Sequence, residues 1–387
     1  MGSDSPLNAL LIAEGSGGHL IPALQVAAAL VHAGVDTTLW YAQRRDMAPL
    51  ASALAQEATD ASVSVAPIPI PSSGGLLGRV WQCGRLWRRA QRRFETSSPD
   101  VVVGFGGWIC VPIVLAARRR RMKCLLHEQN VVMGRANRML ARWADRVAVS
   151  FPETQATLNG TPSVVAGMPV RDRIGRVSRV EAARRFGVNP ERPTLFVLGG
   201  SQGAHAINDL MIRVAALLSP QERAAWQILH VTGRADEAVV REAYARHQAT
   251  AWVASVLLEM EAAYAHADVV IARAGASSIA ELARCGTPSI LIPYPHAGGH
   301  QRSNAQLVEA IGGGLMIEER EATPERLLDA VRRILSDERL RTMMGAQVRA
   351  LHRADAAQRI ARAICELAGP RGDLSATTRS WPSPTVR

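Results

Sequence analysis

Lysine is almost absent from this 387-residue sequence, and its scarcities exclude several kinds of chemistry. Lys123 is the only lysine and lies in no P-loop motif, so P-loop and Schiff-base chemistry are excluded. The five cysteines are odd in number, widely spaced and free of any Cys-x-x-Cys pair. This pattern argues for a reducing compartment and against a disulfide or zinc framework.

An export signal and a long uninterrupted apolar run are also lacking. The N-terminus carries Asp4 in place of a basic region, and Glu14 interrupts the first apolar stretch. Residues 101–117 are uncharged and approach the length of a membrane span, but the glycines of 104–107 and Pro112 divide them. We therefore interpret this stretch as a buried strand, a loop and the start of a helix.

The composition is that of a soluble globular chain with an excess of arginine. The length predicts two domains, each large enough to have its own core. Apolar residues make up an ordinary 48% of the chain, which argues against a disordered protein. The net charge of +11 is carried almost entirely by arginine because there is a single lysine.

Apolar strands alternate with helical segments along the first half of the chain, and this alternation predicts a doubly wound α/β domain. A strand over 7–13 leads into the glycine-rich loop 15–19, and a helix is predicted to begin at Pro22. Further strands are predicted at 35–41, 63–70, 100–104, 124–127 and 146–150.

The same pattern restarts after residues 167–171, which we interpret as a hinge. A strand over 194–198 is followed by the glycine-rich loop 199–204 and a helix over 204–218. The sequence therefore predicts two similar domains. Their expected bounds are 1–167 and 168–352, followed by a C-terminal helix over 353–368 that packs on the first domain and a disordered tail over 369–387.

The stretch 266–295 carries a candidate phosphate site. We predict a strand over 268–272, a glycine turn over 273–276 and a helix over 277–284, in which Ser277 and Ser278 can cap the first turn. The positive end of such a helix suits a diphosphate, and Glu281 can accept hydrogen bonds from two ribose hydroxyls. The alternative is an ordinary capped helix with an acidic residue near its start.

Polar residues at two other positions are candidates for catalysis. His19 ends the first glycine-rich loop, where an imidazole suits a general base that takes a proton from a sugar hydroxyl. His127 and Glu128 open the sequence His-Glu-Gln-Asn directly after a predicted strand, where sites of α/β proteins concentrate. For a loop histidine such as His19 taken alone, a structural role is the alternative.

Two cofactor classes are disfavoured by the sequence. Neither glycine-rich loop matches Gly-x-Gly-x-x-Gly with an acidic partner downstream, which argues against a dinucleotide. His296 and His300 have the spacing of a metal pair, but no acidic ligand accompanies them and the chain has no Asp-x-Asp motif. We expect no metal and no cofactor, so that helix N-termini, backbone amides and arginine would stabilise the charge of a diphosphate.

A basic amphipathic segment occupies residues 76–94. No acidic residue occurs between Asp60 and Glu95, and apolar and aromatic residues alternate with the arginines. We predict adsorption to an anionic membrane surface, with a solvated helix packed on the sheet as the alternative and no nucleic-acid partner. The predicted membrane contacts are Trp81, Arg85, Trp87, Arg88, Arg89 and Arg92.

Seven motifs, in order along the chain, give the sequence a specific resemblance. They are GSGGH (15–19), GFGGW (104–108), HEQN (127–130), GMPVR (167–171), GGSQGA (199–204), RAGASSIAE (273–281) and HQRSN (300–304). Together they resemble the MurG family, which transfers N-acetylglucosamine onto lipid I in peptidoglycan synthesis. The resemblance covers the chain to about residue 367 and implies the GT-B fold, with two Rossmann-like domains facing across a cleft.

The resemblance also implies roles for individual residues. His19 would be the base that activates the acceptor 4-hydroxyl, with His127 and Glu128 as alternatives. The C-terminal domain would hold UDP-N-acetylglucosamine, and the N-terminal domain would face the membrane and the lipid acceptor. The implied donor-binding residues are Ser16, Gly17, Gly18, Asn130, Arg171, Ser201, Gln202, Leu257, Ala276, Ser277, Ser278, Glu281, His300 and Gln301.

Two positions depart from the family pattern. An aromatic and acidic pair is usual beside the uracil, where this chain has Val-Leu-Leu-Glu-Met at 256–260. Gly298 and Gly299 stand where an acidic pair is usual. The expected protein is an inverting, metal-independent transferase at the cytoplasmic face of the bacterial membrane. The alternatives are a GT-B transferase for another lipid acceptor, a sugar-nucleotide epimerase, and a nucleotide-binding regulatory protein without turnover.

Overall fold

The structure, a computed structural model, describes residues 6–43, 48–70, 76–200 and 203–369. The chain divides into two compact units. Unit 1 contains the described residues up to Pro169 and those from Arg353 onward, and unit 2 contains Val170–His352. Each unit is built on its own parallel sheet.

Unit 1 alternates strands with helices along the chain. Its strands are β1 (Asn8–Ala13), β2 (Asp36–Gln43), β3 (Ser64–Pro69), β4 (Val101–Gly104), β5 (Lys123–Glu128), β6 (Arg146–Val149) and β7 (Ser163–Val165). The intervening helices are α1 (Gly17–His32), α2 (Ala48–Asp60), α3 (Leu76–Thr96), α4 (Cys110–Arg119) and α5 (Arg135–Leu140). Short 3-10 helices follow at Ala141–Trp143 and Pro152–Thr157.

The seven strands of unit 1 form a parallel sheet in the order β3-β2-β1-β4-β5-β6-β7. Leu11 in the middle of β1 lies opposite Leu39 on one side and Val103 on the other. The strand order reverses between β1 and β4, because the chain builds outward to β3 and then returns to the other side of β1. In open α/β sheets, ligands bind outside the carboxyl ends of strands at such a switch point.

The strands of this sheet are buried on both faces, which explains their continuous apolar sequences. Val101, Val102 and Val103 of β4 are fully buried. Parallel sheets are covered by helices on both sides, so their strands do not alternate between apolar and polar residues. The uncharged stretch 101–117 is therefore core, as predicted, and no helix among the described residues is long and apolar enough to span a membrane.

Unit 2 repeats the alternation with a smaller sheet. Its strands are β8 (Thr194–Leu198), β9 (Gln227–Val231), β10 (Ala251–Ala254), β11 (Val269–Ala272), β12 (Ser289–Leu291) and β13 (Gly314–Met316). Its helices are α6 (Arg179–Phe186), α7 (His205–Leu217), α8 (Pro220–Ala225), α9 (Glu237–Arg246), α10 (Met260–His266), α11 (Ala276–Cys285), α12 (His300–Ala310), α13 (Pro324–Ser336) and α14 (Glu338–Arg349).

The sheet of unit 2 is also parallel, in the order β10-β9-β8-β11-β12-β13. Its order reverses between β8 and β11, where Val197 lies opposite Ile271. Gly199 and Gly200 follow β8 and the turn 273–275 follows β11, so the start of the second glycine-rich loop and the predicted phosphate-binding turn both lie at this switch point. The predicted α/β fold with two doubly wound parallel sheets is confirmed.

The last described helix, α15 (Ala356–Ala368), belongs to unit 1. Ile360, Ala361 and Ile364 lie in the same apolar core as Leu11 of β1 and Leu24 of α1. Arg146 of β6 also pairs with Glu366 at 2.7 Å. The C-terminal helix therefore covers one face of the first sheet. Of the predicted tail, residues 370–387 lie outside the described part of the chain.

Two predicted helix starts were wrong. The first helix begins at Gly17 and not at Pro22, which lies inside it and removes the bond that an N–H there would donate to Gly18. The later helix begins at Ala276 with Gly275 at its N-cap, so Ser277 and Ser278 lie inside the first turn and do not cap it. In both cases the glycine loop already directs the backbone into the helix.

Candidate active site

His19 lies at the switch point of unit 1, against the loop that follows β4. A Cβ atom on Gly106 would lie 2.9 Å from His19 Cδ2 and 3.0 Å from its Nε2, so only glycine leaves room for the ring. Gly106 also has a φ of +91°, which favours glycine. The motif GFGGW thus supplies the wall against which the imidazole is held.

Ser16 orients the His19 ring from the other side. Its Oγ lies 2.8 Å from His19 Nδ1. Ser16 occupies the N-cap position of α1, but its side chain makes no capping hydrogen bond. The hydroxyl is therefore used to hold the half-buried imidazole, and the first-turn N–H groups of α1 have no side-chain cap.

A buried carboxylate, Glu14, lies beside the same loop. The motifs of the sequence did not identify it as a site residue. It is 6% exposed, and a Cβ on Gly107 would lie 2.5 Å from its Oε2. Gly107 has a φ of +84°, so the second glycine of GFGGW both turns the chain and admits this side chain. A signal was available, because an acidic residue directly after an apolar strand is unusual in a core.

Glu128 holds a loop together. One carboxylate oxygen accepts hydrogen bonds from the backbone N (2.9 Å) and Nδ2 (3.1 Å) of Asn130. The other accepts from Gly134 N at 3.0 Å and from Asn137 Nδ2 at 2.9 Å. With four donors on a carboxylate that is 1% exposed, its acceptor positions are occupied. This geometry disfavours Glu128 as a general base.

His127 is fully buried, and its two ring nitrogens face protein groups. Nδ1 lies 3.4 Å from Gln129 Nε2, while Nε2 lies 3.3 Å from the Gly167 carbonyl oxygen and 3.3 Å from Ser150 Oγ. Burial lowers the pKa of His127 to about 4, so the ring is neutral near pH 7. It supports the site from behind, since Gln129 also donates to the Phe105 carbonyl at 2.7 Å.

The N-terminus of α11 lies at the switch point of unit 2 and has no side-chain cap. Ser277 Oγ is buried there and has no hydrogen-bond partner among the described residues. A buried hydroxyl without a partner is costly unless a ligand or water completes it. Together with the free N–H groups and the positive dipole end, it forms a site suited to an anion.

Glu281 is buried one turn further along α11. It is 7% exposed, and burial raises its pKa above the usual value, while the nearby Arg171 guanidinium and Tyr264 hydroxyl oppose the rise. Arg171 itself donates to the Leu258 carbonyl at 3.2 Å. The structure thus places Arg171 close to Glu281 of α11, and both residues belong to unit 2.

Other predicted donor residues of unit 2 lie on α12 and on the segment before α10. Asn304 of α12 donates to the Ala274 carbonyl at 3.1 Å, which ties the motif HQRSN to the turn before α11. Gln301 accepts from Tyr294 N at 2.9 Å, and His300 begins α12 beside it. Leu257 is half-buried between the exposed side chains of Val256 and Leu258.

The glycine-rich loop before α7 is partly described. Ser201 and Gln202 lie outside the described residues. A Cβ on Gly203 would lie 2.4 Å from the Thr232 carbonyl oxygen, so this loop rests directly on the segment after β9. The helix α7 starts at His205, and its N-cap residue Ala204 provides no side-chain cap. No cluster of three or more His, Cys, Asp or Glu side chains suited to a metal occurs in the described part of the chain.

Helix α3 carries the predicted membrane surface on unit 1. Val80 and Trp81 are 63% and 61% exposed, and Arg85 stacks on Trp81 at 4.7 Å. Trp87, in contrast, is half-buried against the apolar core. Arg85, Arg88, Arg89 and Arg92 form no ion pair with a described carboxylate, and they line one cavity of about 370 Å³ with Ile68, Ile70 and Trp108.

Sequence relatives cover nearly the whole chain. Residues 9–149 match the N-terminal domain of glycosyltransferase family 28, and residues 194–360 match its C-terminal domain. A relative from Nocardioides sp. is named UDP-N-acetylglucosamine–N-acetylmuramyl-(pentapeptide) pyrophosphoryl-undecaprenol N-acetylglucosamine transferase. It is 35% identical over 369 residues, which cover 93% of this chain and 98% of the relative.

Solved structures of similar fold also cover nearly the whole chain. The crystal structure of Acinetobacter baumannii MurG is 26% identical, with a TM-score of 0.71 over 93% of this chain and 99% of that one. A UDP-GlcNAc 2-epimerase from Neisseria meningitidis has a TM-score of 0.68 over 92% of this chain and 99% of that one, but only 10% identity. The second likeness concerns the fold alone.

Two parallel sheets, each with a glycine-rich loop and an uncapped helix at its switch point, define a GT-B protein, and the sequence relatives make it a glycosyltransferase. The chain belongs to the MurG family, within glycosyltransferase family 28.

Proposed function

We propose that the chain transfers N-acetylglucosamine from UDP-N-acetylglucosamine to the 4-hydroxyl of the muramoyl sugar of lipid I, which forms lipid II and UDP. The observation that carries this proposal is the 35% identity over 93% of the chain with an N-acetylglucosaminyltransferase named for that acceptor. The geometry of each unit supports a division of labour, in which unit 2 binds the nucleotide and unit 1 accepts the proton.

Unit 2 offers the groups that a nucleoside diphosphate needs. The uncapped N-terminus of α11 and the buried Ser277 hydroxyl suit the diphosphate, and the Glu281 carboxylate can accept hydrogen bonds from the ribose hydroxyls. Arg171 adds a positive charge next to that carboxylate. The same site would take Ser201, Gln202, Leu257, Ala276, Ser278, His300 and Gln301 as further donor contacts.

Unit 1 offers the base. If Nδ1–H of His19 donates to Ser16 Oγ, Nε2 is the ring nitrogen that would take up the proton of the acceptor hydroxyl. As the O4–H bond breaks, O4 forms a bond to the anomeric carbon, the bond from that carbon to the diphosphate oxygen breaks, and UDP leaves with the electron pair. The attack from the opposite face inverts the anomeric configuration. Gly17, Gly18 and Asn130 would line the sugar side of this site.

The membrane surface completes the proposal. We propose that α3 binds the anionic headgroups of the cytoplasmic leaflet through Trp81, Arg85, Arg88, Arg89 and Arg92. The exposed aromatic ring, the four arginines without acidic partners and the cavity between them support this occupant by charge complementarity. Trp87 is half-buried and contributes to the packing of α3, so it is not among the proposed lipid contacts.

The test is acceptor-dependent UDP release. The purified protein is given UDP-N-acetylglucosamine with and without lipid I, and both the lipid and the nucleotide-sugar products are analysed by mass spectrometry and chromatography. We expect UDP release and lipid II only when lipid I is present. Conversion of the nucleotide sugar to its 2-epimer without acceptor would indicate an epimerase, and transfer to a different lipid but not to lipid I would contradict the acceptor assignment.

A further inference from the structure

A chain of buried polar side chains lies behind the glycine-rich loop of unit 2, and the reaction described above does not use it. Asn208 of α7, His230 of β9 and Tyr244 of α9 are at most 2% exposed. They are joined through Asp236, the N-cap residue of α9, to the exposed His205 at the start of α7. Three polar groups buried together in this way need a reason, because an apolar core is easier to satisfy.

The direction of the hydrogen bonds from Asn208 to Tyr244 follows from the two acceptor oxygens that face the Asn208 amide nitrogen. Asn208 Nδ2 donates to the Thr232 carbonyl at 2.8 Å and to Asp236 Oδ2 at 2.7 Å, so both of its N–H bonds are used. Its Oδ1 must then accept from His230 Nε2, at 3.0 Å. The other nitrogen of His230, Nδ1, accepts from the Tyr244 hydroxyl at 2.8 Å.

His230 therefore exists as one neutral tautomer with both nitrogens occupied. Burial lowers its pKa to about 3, so the ring stays neutral throughout the range in which enzymes work. A neutral imidazole in this tautomer supplies the donor that the Asn208 Oδ1 needs. If His230 were absent, that Oδ1 would be a buried acceptor without a donor, and the amide would have to shift to find one.

The Asn208 amide connects α7 to the segment on which the glycine-rich loop of the proposed donor site rests. It joins α7, whose uncapped N-terminus follows the glycine-rich loop, to the carbonyl of Thr232. The same carbonyl lies where a Cβ of Gly203 would come within 2.4 Å, so the glycine-rich loop rests on it. A change in the Thr232 segment is passed directly to that loop, because there is no space between them.

We propose that His230 is a positioning residue for the donor diphosphate, acting through the Asn208 amide on the Thr232 segment and the glycine-rich loop. The inference rests on the proposed function, in which unit 2 binds the nucleotide. It does not make His230 a catalytic residue, since the ring has no contact with solvent and faces only Asn208 and Tyr244.

The experiment compares His230→Phe, which removes both hydrogen bonds, with His230→Gln, whose amide can offer a donor and an acceptor in the same order. The matched control is His266→Phe. His266 is also fully buried in unit 2 and lies 3.0 Å from Gln227, but it ends α10 and Gln227 begins β9, so the pair lies at the amino end of the sheet. UDP affinity is measured by calorimetry, turnover by UDP release with lipid I, and folding by thermal unfolding.

We expect His230→Phe to raise the UDP Kd and the KM for the donor by about tenfold, with kcat and the acceptor KM within about twofold of wild type. His230→Gln should restore the donor KM to within about threefold. His266→Phe should lower thermal stability as much as His230→Phe does but leave donor affinity unchanged. A folded His230→Phe protein with wild-type donor KM, or with kcat and both KM values changed alike, would overturn the proposal.

A milder variant keeps the proposal testable if His230→Phe does not fold. Tyr244→Phe removes only the outer hydroxyl and should raise the UDP Kd by about two- to threefold without a change in kcat. An unchanged UDP Kd in that variant would contradict the proposal that these hydrogen-bonded side chains position the diphosphate site. Wild-type protein that binds no UDP would instead contradict the donor site itself, so the two failures can be told apart.

Discussion

The two units present different chemistry at equivalent places in their sheets. At the switch point of unit 1, a side chain that can take up a proton, His19, stands half-exposed beside a glycine wall. At the switch point of unit 2, the uncapped start of α11 offers backbone N–H groups, with the carboxylate of Glu281 buried behind it. The contrast suggests that unit 1 performs the proton transfer on the acceptor and unit 2 holds the donor.

The helix starts within unit 2 sharpen this contrast. Helices α8, α13 and α14 begin with a Ser, Thr or Asp side chain that accepts from a first-turn N–H group. Helices α7, α11 and α12 have no side-chain cap, and neither do α9 and α10. A cap is worth about 1 kcal/mol, and among these uncapped starts α11 also has the buried Ser277 hydroxyl without a partner among the described residues. A change in the site of one unit should therefore leave the function of the other unit unaffected.

The largest effect is expected from His19→Ala in unit 1. A general base contributes about 10²- to 10⁴-fold to the rate, so kcat should fall by at least about 10²-fold. UDP affinity should stay at the wild-type value, because the groups proposed to bind the nucleotide lie in unit 2. Steady-state kinetics and calorimetry on one preparation measure both quantities. His127→Phe, which changes a buried ring, is the comparison, and a larger loss of kcat there than in His19→Ala would move the base to the other cluster.

The membrane surface of unit 1 should give the next largest effect. Replacing Arg85, Arg88, Arg89 and Arg92 with Gln removes four positive charges from one surface, and each is worth about 1 kcal/mol next to an anionic leaflet. Binding to vesicles that contain anionic lipid should weaken by about 10²-fold or more in sedimentation assays, with UDP affinity unchanged. The wild-type interaction should also weaken with added salt. Equal sedimentation of variant and wild type would assign α3 to packing alone.

Glu281→Ala in unit 2 should reverse the pattern seen with His19. Loss of a charge-assisted hydrogen bond of about 1.5–3 kcal/mol should raise the UDP Kd by about 10- to 150-fold. A matched ligand sharpens the test. 2′,3′-dideoxy-UDP should bind wild type and variant with similar affinity, because it lacks the hydroxyls that the carboxylate would accept from. An unchanged UDP Kd in the folded variant would reject the ribose contact.

The smallest expected effect is on stability in acid. Burial places the pKa of His127 at about 4, below the usual 6.5, so the unfolded chain takes up this proton first as the pH falls. The stabilisation is complete above about pH 6.5 and is lost towards pH 4, with a slope of about 1.4 kcal/mol per pH unit for one histidine. In denaturant titrations, His127→Phe should have a shallower acid dependence than wild type by that amount. Parallel pH profiles would contradict the burial of a neutral ring.

Much of the fold could be predicted from the sequence because the strands are continuous apolar runs followed by glycine loops. Those local signals also identified His19, Ser277 and Glu281. They could not assign roles within His-Glu-Gln-Asn, since the partners of Glu128 include Gly134 and Asn137, and those of His127 include Ser150 and Gly167. Such partners, six to forty residues away, depend on the tertiary fold. The prediction that Ser277 and Ser278 cap the helix was wrong for a local reason. Gly275 is the N-cap residue, so the helix begins at Ala276, one residue before Ser277.

The central claim is that the sugar is transferred with inversion by a base in unit 1, and the linkage in the product tests it most directly. The donor sugar is joined to UDP in the α configuration, so direct attack by the 4-hydroxyl must give a β linkage. We predict that NMR spectroscopy of the product made from UDP-N-acetylglucosamine and lipid I shows N-acetylglucosamine linked β to the muramoyl O4. An α linkage, or release of free sugar without transfer, would contradict the account and remove the role assigned to His19.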